Sequence, residues 1–142
     1  MLDGEIRDDG RHHMQVRVFY EDTDFSQAVY HGNYLRFMER GRTNFLRLLG
    51  TDQRGLMGDA GAAFVVRSME IDFFKPAFMD DLLDIVTAPQ EVRGASIILL
   101  QECRRGDGLL VSARVRVAFV AGGKAQRIPQ VLRDAMKGKR SG

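Results

Sequence analysis

Residues 33–50 read NYLRFMERGRTNFLRLLG and decide the fold. Apolar side chains recur there at offsets of three and four, which predicts a helix with a buried face. Asn33 or Gly32 is placed to begin this helix, and Gly50 to end it. The apolar surface extends well beyond a narrow stripe, so we expect a sheet to enclose the helix on several sides. Its members are Tyr34, Leu35, Phe37, Met38, Phe45, Leu46, Leu48 and Leu49.

Strands precede and follow this helix in the sequence. Alternation of apolar and polar residues predicts one strand before it, over residues 14–22, and four strands after it. Those four cover residues 62–74, 82–92, 95–104 and 111–119. This order of elements is typical of an α+β protein in which an antiparallel sheet wraps around one helix.

Glycine and proline mark where the strands end. Pro76 closes the second strand because proline cannot donate to a ladder, and Gly94 lies where a turn is needed. Residues 106–108, Gly-Asp-Gly, predict a hairpin, and the glycine pair at 122–123 ends the fifth strand. A short helix is expected over residues 129–136. Successive hairpins leave sheet edges that must be paired or covered, so we expect a dimer with edge-to-edge strand pairing.

The composition is that of an ordinary globular domain. Of 142 residues, 44% are apolar and 28% are charged, which is enough for one core and leaves little room for disorder. The formal charge of +2 is too small a surplus to predict nucleic acid as the main partner. We expect one domain over residues 14–137, with flexible segments at 1–13 and 138–142.

The cysteine content and the hydropathy of the sequence indicate where in the cell the protein is expected. Cys103 is the single cysteine of the sequence, which excludes an internal disulfide and a cysteine-based metal cluster. We expect it to be a buried small hydrophobe. No apolar run resembles a signal peptide or reaches the roughly 20 residues of a membrane span. The sequence therefore predicts a soluble, cytoplasmic protein.

The residues best suited to catalysis lie between the first strand and the helix. They read YEDTD at 20–24 and VYHGNY at 29–34. A helix N-terminus presents unpaired N–H groups and a partial positive charge, where a developing oxyanion can be held. A carboxylate a few residues upstream can reach the same point. Together they meet two requirements of acyl hydrolysis.

Simpler roles for these residues stay open at this stage. Asp22, Thr23 and Asp24 are also good turn and capping residues, and a lone histidine such as His31 more often caps or packs than reacts. The pair His12–His13 is expected in a frayed N-terminus. It makes a poor metal site, because no acidic partner stands at ligand spacing.

The same region carries a resemblance to a known family. YEDTD at 20–24, VYH at 29–31 and several helix residues resemble the signature of hotdog-fold acyl-CoA thioesterases. The sequence is most similar to the branch associated with the bacterial Tol-Pal gene cluster, within the 4-hydroxybenzoyl-CoA thioesterase group. The further matching positions are Tyr34, Phe37, Glu39, Arg40 and Arg42, and residues 64–67, 76–77, 80–81 and 127–129.

The resemblance implies a hotdog fold, with a five-stranded antiparallel sheet around the long helix and the active site at the interface of a homodimer or homotetramer. It implies hydrolysis of a fatty or aromatic acyl-CoA to the free acid and CoA, with no metal and no separate cofactor. Acyl carrier protein and enzymes of phospholipid synthesis are further partners to expect.

The resemblance also implies roles for individual residues. Asp24 is the catalytic nucleophile or general base. The backbone N–H of His31 polarises the thioester carbonyl, and the His31 imidazole assists proton transfer or places water. The residues expected to bind substrate are Tyr30, Gly32, Asn33, Tyr34 and Arg67.

One departure from the family concerns residues 25–28, FSQA, where glycine is usual. Glycine permits backbone angles that glutamine does not, so we expect a narrower or reshaped pocket near Phe25 and Gln27. Arginine and lysine pair strongly with phosphate oxygens. The candidates for the CoA phosphates are Arg67, Arg93, Lys124 and Arg127.

Two other functions stay open from the sequence. A hotdog hydratase or dehydratase uses a different arrangement of histidine and acid, which the Asp24 motif disfavours. A non-catalytic protein that binds acyl-CoA or acyl carrier protein, or that acts as a scaffold, is supported only by the missing glycine.

Overall fold

The structure is a computed structural model that describes residues 2–51 and 62–141. That part of the chain forms seven strands and two α-helices. The strands are β1 (Glu5–Ile6), β2 (His12–Arg17), β3 (Ala63–Phe73), β4 (Leu82–Val92), β5 (Ser96–Arg105), β6 (Gly108–Ala121) and β7 (Lys124–Ala125). The helices are α1 (His31–Leu46) and α2 (Gln130–Ser141).

The strands form one antiparallel sheet in the order β1-β2-β4-β5-β6-β3, and β7 pairs with β6. The five long strands are those predicted from the sequence, and the two added ones have two residues each. The predicted antiparallel sheet around one helix is confirmed. Strand β3 ends the sheet, so one of its edges faces no other strand of the described residues.

The core lies between α1 and the inner face of the curled sheet. Five large side chains of the helix are buried, and they share one apolar cluster with inward-facing residues of β4 and β5. Burying a side chain of this size stabilises the fold by about 1.5–3 kcal/mol. The buried helix residues are Tyr34, Phe37, Met38, Phe45 and Leu46, and the strand residues include Leu83, Ile85, Ile97 and Leu99.

Helix α1 ends as the glycine pattern predicts. The chain continues for one wide turn over Arg47–Thr51, where Gly50 adopts a φ of 108° that side chains rarely tolerate. The predicted turns at residues 94, 106–108 and 122–123 are confirmed, since strands end on both sides of each. The glycines at positions 55, 58 and 61 predict a loop over residues 54–61, which lies outside the described residues.

The first predicted strand is wrong at its end. Strand β2 stops at Arg17, and Tyr20–Asp22 form a short 3-10 turn instead of the end of a strand. The Asp22 carboxylate accepts the Phe19 N–H at 2.9 Å, which bends the backbone out of the sheet. The apolar alternation therefore continues past the point where strand pairing stops.

The interpretation of His12 and His13 as frayed is also wrong. Both lie in β2, and the His12 ring is fully buried, with Nε2 2.7 Å from the Asp3 carbonyl oxygen. Burial lowers the pKa of His12 and so favours the neutral ring. His13 Nδ1 lies 3.0 Å from the Asp84 carboxylate, an acidic partner 71 residues away in sequence. The sheet begins at Glu5, while the division into a domain and two flexible ends stays a prediction.

Cys103 is buried as predicted, with none of its surface exposed. Burial raises the pKa of its thiol to about 12. The thiol therefore stays protonated and acts as a packing group. None of the described helices is long and apolar enough to span a membrane.

Gly41 lets α1 approach the sheet closely. A Cβ at this position would come within 3.0 Å of Ile85 Cγ2 and 3.1 Å of Thr87 Oγ1. The buried Gln101 amide closes the same contact, since its Nε2 donates to the Met38 carbonyl and to Thr87 Oγ1, each at 2.9 Å. A methyl group here would force the side chains of Ile85 and Thr87 to shift by a few tenths of an ångström.

We expect Gly41→Ala to lower the free energy of unfolding by about 1–3 kcal/mol, because the added methyl group overpacks this contact. Alanine is a better helix former than glycine by about 1 kcal/mol. A loss of stability can therefore be attributed to the steric clash. The matched control is Gly94→Ala, where a Cβ meets nothing within 4 Å. Urea denaturation measures both, and a Gly41→Ala protein as stable as the control contradicts the packing.

Candidate active site

The segment between β2 and α1 folds as a tight hairpin around Asp24. The Asp24 backbone N–H donates to the Ala28 carbonyl at 2.9 Å, and the Gln27 N–H donates to the Asp24 carbonyl at 2.9 Å. Thr23 and Val29 form an antiparallel bridge just outside this turn. The main chain on both sides of Asp24 is therefore held in place by its own hydrogen bonds.

The Asp24 carboxylate is exposed and carries its charge at neutral pH. Oδ1 accepts the Ser26 backbone N–H at 2.8 Å and also the Ser26 hydroxyl. The hydroxyl bond first, and then the N–H bond, lower the pKa of Asp24, and the nearby His31 lowers it further. Oδ2 makes no hydrogen bond to any described residue, which leaves one carboxylate oxygen free to meet a substrate or water.

The N-terminus of α1 faces the same region. His31 is the first helical residue, and Tyr30 before it provides no side-chain cap. The first N–H groups of a helix have no partner within the helix and carry a partial positive charge. The Asp22 carbonyl accepts both the Asn33 side-chain amide at 2.7 Å and the Tyr30 N–H at 3.2 Å. These two bonds fix the helix start beside the Asp24 hairpin.

A cavity of about 260 Å³ opens between the Asp24 hairpin, the start of α1 and the end of β3. Phe73 contacts the His31 ring edge-on at 4.9 Å between centroids, and it lies 5.7 Å from the Tyr34 ring. One part of the lining is therefore aromatic, and the lining also includes Asp24. The lining residues are Asp24, Ala28, Val29, His31, Tyr34, Phe73, Phe74, Lys75 and Pro76.

The structure brings Asp24, His31 and Tyr34 together at this cavity, and their roles stay a prediction. The Tyr34 hydroxyl is already occupied, since it accepts the Ala77 N–H at 2.9 Å. Burial raises the pKa of Tyr34 and keeps this hydroxyl protonated. Tyr34 can therefore contact a substrate with its ring, while its hydroxyl is used within the protein.

The other predicted substrate-binding residues do not line the cavity of this chain; they are Tyr30, Gly32, Asn33 and Arg67. Asn33 uses its amide on the Asp22 carbonyl. Gly32 lies under the Tyr30 ring, which a Cβ at Gly32 would approach to 3.0 Å. Arg67 is exposed on β3 at the break in its register with β6.

The departure at residues 25–28 has a visible backbone consequence. Gln27 adopts a φ of 70°, the left-handed conformation that glycine adopts without strain. Its backbone still makes the turn, because its N–H bonds to the Asp24 carbonyl. Phe25 is fully exposed beside it. The hairpin thus keeps the shape that glycine would allow, and the changed side chains point to its outer surface.

Sequence reasoning missed Ser26, Phe73 and Lys75 as members of the site. An aspartate followed two residues later by serine is a recognisable turn signal, so the Ser26 bond was open to prediction. Phe73 and Lys75 come from the end of β3, more than 40 residues from Asp24. Their presence follows from strand order, which pattern alone does not specify.

Three of the candidates for the CoA phosphates lie at the other end of the sheet. β4 begins at Leu82, six residues after Pro76 of the cavity lining, and ends at Val92, and Arg93 follows it directly. Its eleven residues span roughly 36 Å at 3.3 Å each. Lys124 and Arg127 lie at the same far end, since the Ile128 N–H donates to the Gly94 carbonyl. Within one chain these three side chains are remote from Asp24.

A larger cavity, of about 630 Å³, lies elsewhere, on the outer side of β2 and β4. Its main charged groups are paired with each other, His13 with Asp84 and Arg7 with Glu5. It contains no helix start. Size alone favours this cavity, but the smaller one holds the free carboxylate oxygen and the electrophilic helix end, so the chemistry favours the smaller. The described residues contain no cluster of three His, Cys, Asp or Glu suited to a metal ion.

A curled antiparallel sheet around one helix, with an ionised carboxylate beside the helix start, is the arrangement of a hotdog-fold enzyme that acts on a carbonyl group. The family model described as the thioesterase superfamily matches residues 27–112. The acyl-CoA thioesterase YbgC of Haemophilus influenzae is 44% identical over 113 residues, which are 80% of this chain and 83% of that protein. The chain belongs to the thioesterase superfamily, as its sequence motifs predict.

Solved structures agree with this assignment. The crystal structure of a probable thioesterase from Bartonella henselae is 42% identical, covers 84% of this chain and 98% of its own, and superposes with a TM-score of 0.73. A 4-hydroxybenzoyl-CoA thioesterase mutant in complex with 4-hydroxybenzoyl-CoA is 23% identical and covers 89% of this chain and 98% of its own. Its TM-score of 0.82 confirms the predicted hotdog fold.

We expect Ser26→Ala to raise the pKa of Asp24, because it removes the hydroxyl bond that favours the carboxylate. If turnover needs ionised Asp24, the acid limb of kcat/KM against pH moves to higher pH. Thr23→Ala is the matched control, since that hydroxyl lies in the same hairpin and donates to the Tyr20 carbonyl instead. A limb that stays in place in Ser26→Ala, or that moves equally in both variants, contradicts the role of Ser26.

Proposed function

We propose that this chain hydrolyses the thioester of an acyl-CoA to the free acid and CoA, with Asp24 as its catalytic carboxylate. The observation that carries the proposal is the pairing of an ionised Asp24 with the uncapped start of α1 across one small cavity. A thioester carbonyl between them meets a nucleophile or base on one side and unpaired N–H groups on the other. That is the arrangement needed for acyl transfer to water.

In the proposed first step, the carbonyl carbon gains an oxygen and the carbonyl oxygen becomes an oxyanion. Either Asp24 takes a proton from the attacking water, or its free Oδ2 attacks the carbonyl carbon, and both routes give a tetrahedral oxyanion. The backbone N–H of His31 and the positive end of α1 stabilise the oxyanion. The low pKa of Asp24 keeps it anionic for both routes.

In the proposed second step, the oxyanion collapses, the C–S bond breaks and CoA leaves as a thiolate. The water route then gives the free acid directly, and the Oδ2 route gives a mixed anhydride that water hydrolyses. The thiolate takes up the proton released from water, and the exposed His31 imidazole at the cavity is suited to carry it. A thiolate is a fair leaving group, so the steps as written balance without a further reactant. CoA enters as part of the substrate.

The cavity supports an acyl group of modest size. Its volume of about 260 Å³ is small beside the roughly 300–1,000 Å³ usual for a drug-sized ligand, so the rest of CoA lies outside it. The rings of Tyr34 and Phe73 suit an aromatic or short aliphatic acyl group. Lys75 at the rim is a stronger candidate for a CoA phosphate than Arg93, Lys124 or Arg127 on the same chain.

We also propose that two copies pair through the free edge of β3. Val65 and Val66 in this strand are 39% and 41% exposed, and Phe73 and Phe74 at its end are 43% and 56% exposed. An unpaired apolar edge strand is stabilised by pairing with another strand. Because β3 ends at the cavity, a partner on this edge lies beside Asp24, in a homodimer or a homotetramer built from it.

The cellular location is proposed from the state of the cysteine. A cytoplasmic location suits a chain whose single cysteine is an unpaired buried thiol. Contacts with acyl carrier protein or with phospholipid-synthesis enzymes, and the link to the Tol-Pal gene cluster, rest on the sequence resemblance alone.

We expect Asp24→Ala and Asp24→Asn each to lower kcat on an acyl-CoA panel by at least about 100-fold. The panel spans short, long and aromatic acyl groups, and CoA release measures turnover. Glu21→Gln is the matched control, an exposed acid in the same segment. Near-wild-type turnover in either Asp24 variant contradicts the assignment. Binding of acyl-CoA by the wild type without turnover on any member favours a non-catalytic binding protein.

Light scattering tests the proposed pairing. We expect the wild type to have at least twice the 16.0 kDa mass of one chain, and Val66→Lys to shift it toward the monomer, because a charge on the edge opposes pairing. Val131→Lys is the control, a valine that is 56% exposed on α2. A monomeric wild type contradicts the pairing.

A further inference from the structure

A second loop, residues 74–81, lies against the Asp24 hairpin, and its residues 77–81 take no part in the proposed catalytic steps. The Val29 N–H donates to the Ala77 carbonyl at 2.9 Å, and the Met79 N–H donates to the Gln27 carbonyl at 3.2 Å. Ala28 and Phe78 form an antiparallel bridge between these two bonds. The returning half of the Asp24 hairpin is therefore paired along its length with this second loop.

These contacts build a small layered structure. Residues 22–24 pair with residues 28–30, which pair in turn with residues 77–79. Asp24 lies in the outermost layer, and the second loop is the layer nearest the sheet. Any displacement of residues 77–79 is thus passed to the backbone that carries Asp24. The position of the carboxylate depends on what holds the second loop.

Asp81 connects the second loop to the sheet. Its Oδ2 accepts the Phe78 N–H at 2.8 Å and the Arg105 guanidinium at 2.7 Å. Arg105 is the last residue of β5, in the centre of the sheet order, and its guanidinium also donates to the Pro76 carbonyl at 3.4 Å. One carboxylate oxygen therefore ties the turn of the loop to a strand that is paired on both sides.

This pair differs from an ordinary surface salt bridge. Exposed ion pairs contribute about 0–1 kcal/mol, because solvent screens them and two long side chains lose entropy. The Asp81 side chain is 24% exposed and also binds a backbone N–H, which an isolated ion pair does not. The neighbouring pair of Arg104 and Glu102 has similar exposure but bonds across two residues of its own strand.

We propose that Asp81, held by Arg105, is a positioning residue for Asp24 that acts through the second loop. This inference rests on the proposed thioesterase function. It also assigns a role to the motif residues at 76–77 and 80–81, which the catalytic steps leave without one. Asp81 does not line the cavity, so its effect reaches the substrate through the backbone of residues 77–79 and 27–29.

Kinetics provide the first arm of the test. We expect Asp81→Ala to lower kcat by roughly 10- to 100-fold, as a small misplacement of a catalytic group does, while KM for acyl-CoA changes little. Asp81→Asn retains an acceptor for the Phe78 N–H and is expected to keep an intermediate kcat. It also provides the readout if Asp81→Ala does not fold. Glu102→Ala, which removes the neighbouring ion pair, is the matched control with wild-type kcat.

Amide hydrogen exchange provides the second arm, which does not depend on activity. In both Asp81 variants we expect faster exchange at the Val29 and Met79 N–H groups, and unchanged exchange in the ladder of β5 with β6. A wild-type kcat in Asp81→Ala, a change confined to KM, or unchanged exchange at Val29 and Met79 overturns the proposal. A wild type with no thioesterase activity overturns the proposed function instead, and the exchange arm still decides whether Asp81 holds the hairpin.

Discussion

Helix α1 has a broad apolar face that must be buried, formed by Tyr34, Phe37, Met38, Phe45 and Leu46. The curled sheet satisfies this constraint, with β4 and β5 against the helix and Gly41 at the point of closest approach. The opposite face of the helix stays exposed along its length, as at Arg36, Glu39 and Arg40. The proposed active site lies at the N-terminal end, because that end supplies the unpaired N–H groups that a carbonyl oxygen needs.

The loops around the helix start convert this exposed end into a site with a defined geometry. One carbonyl oxygen, that of Asp22, accepts bonds from Tyr30 and Asn33, so the hairpin and the helix share an anchor. The hydrogen bonds from Ser26 then lower the pKa of Asp24. The hairpin accommodates Gln27 at a positive φ without opening, which indicates that hydrogen bonds, more than glycine, define its shape.

Local patterns predicted the parts of the molecule that depend on neighbours in sequence. The helix, its end at Gly50 and the hairpin at residues 106–108 each follow from spacing or from turn chemistry. Asp24 and His31 were also predictable, since they flank the start of one helix. Their assignment as catalytic came from the family motif, because an aspartate in a turn has simpler explanations.

The parts that escaped prediction are formed by contacts between distant segments. Phe73 joins the site because β3 returns to the helix start, and His13 finds Asp84 across a strand pair. The second loop binds the hairpin through backbone groups, which every residue possesses and no motif displays. Strand pairing and main-chain hydrogen bonds decide these contacts, and both become visible only once the sheet is assembled.

The proposed chemistry requires the thioester to lie between Asp24 and the start of α1. A crystal structure of the Asp24→Asn protein with an intact acyl-CoA bound tests this placement directly. We predict that the thioester carbonyl oxygen lies within hydrogen-bonding distance of the His31 N–H, with the acyl group between Tyr34 and Phe73. A thioester bound in the outer cavity beside His13 and Asp84, or a carbonyl that faces away from the helix, would contradict it.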